Sequence, residues 1–190
     1  MADYVNDWLG RRDGEPASDL DLVVLLVNSL DLLEDPPDRL TVEWFAEVAV
    51  DVGRADVAST LRADDLTGLR RLRESLRAVF RAESAEVAAG ILNPMLRDAR
   101  AVPELVVAAD RVDLQVAPEK HGLAALTARL PAALAGQVAG RGIGRLGTCA
   151  SAPCECAFID RTRAATRRFC CSICNDRAAA RLYRQRRRKA

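Results

Sequence analysis

Apolar positions recur at helical spacing along most of this chain. From Asp19 to Glu34, residues Leu22, Leu25, Leu26, Leu30 and Leu33 share one helical face. Asp35-Pro-Pro-Asp38 stops that pattern. Thr41 stands as the N-cap of a second helix, with Glu43 in its first turn and Phe45, Val48, Ala49 and Val52 on one face. Gly53 closes it. Asp64 or Asp65 starts a third helix, whose stripe is Leu66, Leu69, Leu72, Leu76, Val79 and Phe80. Arg70, Arg71, Arg73 and Arg77 lie mostly off this stripe. A further helix spans residues 83–97, within which Pro94 marks a kink or a new first turn.

The period then changes. Leu105-Val-Val and Val112-Asp-Leu-Gln-Val, joined by Ala-Ala-Asp-Arg, read as a small hairpin whose second arm alternates cleanly. Helical spacing returns from Gly122 to about residue 138, interrupted by Pro131. Glycines 140, 142, 144 and 147 read as a flexible joint, and residues 1–18 as a loose polar lead. Few aromatics are available, so Leu, Val and Ala must build the core, which favours packed helices. Trp44 and Phe45 are assigned to that core.

Charge divides the chain in two. Residues 141–190 hold 13 Arg and Lys against 3 Asp and Glu, a local net of +10, and residues 1–140 carry a net of −9. An acidic body therefore carries a basic, polyanion-seeking end. All six cysteines lie in that end, at Cys149, Cys154, Cys156, Cys170, Cys171 and Cys174. The longest unbroken apolar run, Leu22 to Val27, is too short to span a bilayer. The acidic N-terminus lacks the order of a signal peptide. The expectation is a cytoplasmic protein with no membrane partner, whose reduced thiols bind metal rather than form disulfides.

Two tight thiol groups separated by about fifteen residues suit a tetrahedral ion. Cys149 and Cys154 supply one pair, and Cys174 with either Cys170 or Cys171 supplies the other. One structural Zn²⁺ is expected, and it replaces the core that so small a loop cannot build. An iron–sulfur cluster uses four thiolates as well. Cys156 and the spare member of the Cys170/Cys171 pair are surplus, and serve packing or a redox switch. After Cys174, Asn175 or Asp176 caps a helix on which Arg177, Arg181, Arg184 and Arg188 share one stripe suited to the phosphates of double-stranded DNA.

These motifs resemble those of the CGNR zinc-finger family, whose members carry an N-terminal ABATE domain. The resemblance rests on Arg145-Leu146, Cys149, Cys154, Phe158, Asp160, Thr162, Arg167-Arg168-Phe169-Cys170 and Cys174-Asn-Asp-Arg177. Upstream it extends to Asn28-Ser29, to Leu72-Arg-Glu-Ser-Leu-Arg77 and to Leu92-Asn93. Asn175-Asp176 stands where the family has Gly-Asn, and Ala179 where it has Lys. The resemblance implies a bacterial transcription regulator that binds DNA, and it adds Arg167 and Arg168 to the nucleic-acid-facing arginines.

The resulting fold class is mainly α. A helical ABATE-like domain over residues 1–140, with a small β-hairpin, binds an effector or dimerises. A four-cysteine zinc finger over residues 145–190 ends in a basic helix. The rival reading is an adaptor docking on RNA polymerase or a sigma factor. An enzyme is not expected. His121 is the only histidine, a surface or capping residue, and no nucleophile–base pair or phosphate loop is present.

Overall fold

The computed structural model describes Leu9 and residues 18–108, 111–117 and 119–189. The lead expected to be loose, apart from Leu9 and Ser18, lies outside the described residues, as do the two residues at the hairpin tip. Among the described residues seven helices surround one core: α1 (Asp19–Val27), α2 (Val42–Asp51), α3 (Ala55–Ala58), α4 (Leu66–Phe80), α5 (Ala85–Asp98), α6 (Gly122–Arg141) and α7 (Ser172–Lys189). Two antiparallel pairs complete the fold: β1 (Pro103–Ala108) with β2 (Arg111–Val116), and β3 (Leu146–Thr148) with β4 (Ala157–Ile159).

Helix α1 is the axis. Every residue from Asp21 to Val27 is buried, so it must be covered on all sides. Helices α2, α4 and α6 cover it, together with β4 from the C-terminal module. Its first turn is fixed by Ser18, whose N–H and Oγ donate to Asp21 Oδ2 at 2.7 and 3.0 Å. Helix α1 is seven residues shorter than its apolar spacing suggests. It ends at Val27 because Asn28 turns inward, and Leu32 and Leu33 emerge exposed. Thr41 caps α2 as expected, accepting the Trp44 N–H at 3.0 Å.

The stripe of α4 packs inward. Arg73 and Arg77, expected off the stripe, are buried with it. Arg73 forks onto Asp38 at 2.6 and 3.1 Å and donates to Ser29 Oγ at 3.1 Å. The prolines are accommodated: α5 continues through Pro94 and α6 through Pro131. Helix α6 begins on a glycine for a steric reason. Gly122 has φ +55°, and a Cβ there would lie 2.7 Å from the Thr60 carbonyl oxygen.

The expected flexible joint is ordered. Gly140 belongs to α6, Gly142 ends that helix at φ +83°, and residues 143–145 form a short 3-10 turn that leads straight into β3. One apolar cluster runs unbroken from the helices into the cysteine module. Among the described residues no helix is long and apolar enough to cross a membrane.

Candidate metal centre and basic helix

The centre is assembled from two loops and one helix start. Strands β3 and β4 pair with Leu146 opposite Ile159, Gly147 opposite Phe158 and Thr148 opposite Ala157. The Phe158 ring lies over Gly147, where a Cβ would come within 2.7 Å of it. The loop between the strands carries Cys149, Cys154 and Cys156. The Cys149 N–H donates to the Cys156 carbonyl at 2.9 Å, and the Cys154 N–H to that of Ser151 at 3.0 Å. The second group precedes and opens α7. This helix starts at Ser172, three residues earlier than the expected Asn175 cap, so Cys174 sits in its first turn.

The Sγ atoms of Cys149, Cys154, Cys170 and Cys174 lie within 4.8 Å of one another, all buried. Cys170 Sγ is 3.7 Å from Cys154 Sγ and 3.6 Å from Cys174 Sγ. Four thiolates held tetrahedrally at the zinc–sulfur bond length stand about 3.8 Å apart. The donor set therefore fits zinc in number, chemistry and spacing. Cys171 lies outside this group, with its Sγ 3.8 Å from Cys170 Sγ. A second group joins Asp31, Cys154 and Cys156.

Electrostatics favours a cation here. Hydrogen bonds from Cys149, then Cys156 and Cys170, drive the Cys154 thiol well below the ordinary thiol range. Cys170 is pushed up, first by its hydrogen bond with Cys149. Cys156 is pushed up by Cys154, and Cys174 by burial and the nearby Cys154 charge. Thiolates packed together repel one another, whereas a dication among them stabilises the charged form of each ligand.

A network that sequence spacing did not reveal supports the cluster. Buried Asp160 accepts from the Thr162 N–H at 2.8 Å and Oγ1 at 2.5 Å, and from the Arg167 N–H at 2.8 Å. Against the desolvation of burial, these bonds hold its carboxyl below the usual range. Asn28, at the end of α1, completes β4. Its Nδ2 donates to the Ala157 carbonyl at 2.9 Å, and its Oδ1 accepts the Ala157 N–H at 2.7 Å. Arg161 reaches fully buried Asp21 at 2.9 Å, and Arg77 and Arg81 both hold Glu155. The available signal was polarity out of place: Asp21 and Asn28 interrupt or end an otherwise apolar run.

The nucleic-acid arginines divide into two groups. Arg177, Arg181 and Arg167 bond groups of the module itself. Arg177 donates to Ser151 Oγ at 3.2 Å, the Ser151 carbonyl at 3.0 Å and Cys174 Sγ at 3.2 Å. Arg181 donates to the Ala152 carbonyl at 2.7 Å while staying exposed. Arg167 bonds the Phe169 carbonyl at 2.9 Å and that of Cys170, and lies 5.0 Å over the Phe158 ring. Both Arg177 and Arg181 lie within about two turns of Cys174, close enough for their guanidiniums to reach the loop carbonyls. Arg184 and Arg188 are exposed beyond that turn, as are Arg186 and Arg187, and Arg168 is exposed over Phe169. His121 is exposed and heads α6 through its backbone.

Residues 145–187 match the CGNR zinc finger, and residues 20–141 match the ABATE domain, described as a "putative stress-induced transcription regulator". No curated protein matches the chain.

Proposed function

The chain belongs to the ABATE family and ends in a CGNR zinc finger, and on that premise we propose a transcription regulator that grips DNA with α7. Cys149, Cys154, Cys170 and Cys174 hold one Zn²⁺, which supplies a fixed cross-link and no chemistry. The geometry supports Cys170 over Cys171 as the fourth ligand. No catalytic role is assigned. The observation that carries this reading is a helix fastened to a buried thiol cluster at its first turn and exposed from Ala179 to Arg188. Arg184, Arg186, Arg187 and Arg188 stand free of the loop carbonyls, and guanidiniums so placed bind phosphates. Positive charge toward the helix C-terminus also stabilises the helix dipole.

The purified protein is expected to contain one zinc per chain by elemental analysis, and iron with sulfide would refute that assignment. Duplex binding should weaken steeply with salt, and Arg184→Ala with Arg188→Ala should lower the slope of log K against log salt by about 2. Binding with an unaltered slope would remove α7 from the interface. A second reading is supported by apolar side chains on the same helix. Ile173, Leu182 and Tyr183 are 59, 54 and 61% exposed, which suits docking on RNA polymerase or a sigma factor. That reading predicts loss of polymerase capture, with DNA binding intact, on Leu182→Ser with Tyr183→Ser.

A further inference from the structure

The β1–β2 hairpin leaves most of its apolar face exposed. Its register pairs Pro103 with Val116, Leu105 with Leu114 and Val107 with Val112. Residues directly opposite in an antiparallel pair share a face. One face is thus Pro103, Leu105, Val107, Val112, Leu114 and Val116, with no polar side chain. The other carries Glu104, Val106, Asp113 and Gln115. An amphipathic sheet normally turns its apolar face to the core. Here Leu105, Val107, Val112 and Leu114 are 72, 72, 59 and 71% exposed and only Val116 is half-buried, whereas on the polar face Val106 and Asp113 are half-buried and Glu104 and Gln115 exposed.

We propose that this face is a dimer interface, on which the hairpin of a second copy of the chain packs face to face. The chemistry of the patch selects that occupant. A flat aliphatic face without charge is complementary to itself, which is what a two-fold axis requires. The patch offers no charge for an acidic or basic partner to read. Glu104, Asp113 and a body of net charge −9 disfavour an anionic lipid surface.

The area suffices. The six side chains expose on the order of 500 Å² per copy, as large as the largest patch of an ordinary monomer. Two copies together bury about 1,000 Å², the lower bound for a specific interface. A two-stranded sheet is marginal in water, and two stacked hairpins supply each other's missing layer. The dimer carries two copies of α7 on one particle, a geometry suited to paired DNA half-sites.

Sedimentation of the full-length, metal-loaded chain tests this. A dimer is expected at about 100 µM, dissociating on dilution as so small an interface should. Leu105→Lys with Leu114→Lys should give a monomer whose helical circular dichroism and zinc content are unchanged, because both side chains already face solvent. Leu32→Lys, a change at another exposed leucine, should leave the dimer intact. A wild-type monomer at that concentration overturns the proposal. So does a dimer that survives the double substitution, or a chain that floats with neutral phosphatidylcholine vesicles instead of self-associating.

Discussion

At the scale of single residues, Arg177 and Arg184 show how position along one helix changes what an arginine does. Both lie on the same stripe of α7. Arg177 ends 3.2 Å from Cys174 Sγ and bonds Ser151 twice, whereas Arg184 lies in solvent. A cationic N–H on a metal-bound thiolate withdraws charge from the sulfur. In cobalt-substituted protein, Arg177→Gln should move the sulfur-to-metal charge-transfer band to lower energy and raise metal loss to a chelator by about 10- to 100-fold. Arg177→Lys should restore part of the effect, and Arg71→Gln, an equal charge change elsewhere, none of it. A wild-type spectrum for Arg177→Gln would show that the contact does not reach the metal. Absence of any cobalt band in the wild type would instead refute the four-thiolate site.

Elements owe their placement to a few polar side chains inside the apolar cluster. Strand β4 is only three residues long and would be marginal alone. Asn28 completes it by pairing both polar atoms of the Ala157 backbone from α1. Replacement by Ala leaves a buried N–H and C=O without partners, at a cost of about 1–3 kcal/mol each. Asn28→Ala should lower the urea midpoint of the zinc-loaded protein and speed zinc transfer to a chelator, because the module loses its seat on α1. An unchanged midpoint and rate would show that apolar packing alone seats the module. Helix α7 is the opposite case. Past its first turn it packs on little and is sustained by its alanines, its cap charges and its tie to the cysteines.

For the whole molecule, stability is linked to acid. Asp38 is held below the usual carboxylate range, chiefly by its hydrogen bonds from Arg73 and against desolvation. Asp56 is lowered likewise by Arg54, and Asp160 by Thr162 and Arg167 against a larger desolvation. A folded-state value below the unfolded one means that the unfolded chain binds protons first. The stabilisation is therefore full above about pH 4 and is lost as pH falls through the lowered folded values. Asp38→Asn should lower the urea midpoint at pH 7 and narrow the difference between midpoints at pH 7 and pH 3. An equal loss at both values would assign Asp38 a steric role only.

Helix order, the hairpin and the cysteine cluster were legible in the sequence because each is a local pattern. Apolar spacing gives α2, α4, α5 and α6 nearly as found, and thiol spacing delivers Cys149, Cys154 and Cys174, leaving Cys170 and Cys171 equivalent. Tertiary structure decided what depends on neighbours distant in sequence. It ended α1 at Asn28, buried Arg73 and Arg77 opposite Asp38 and Glu155, and placed Cys170 rather than Cys171 in the four-thiol group. It also turned the apolar face of the hairpin outward, although alternation specifies two faces without saying which one meets the core. The physical reason is common to all of these. Periodicity records which residues share a face, and only the packed chain determines what that face meets.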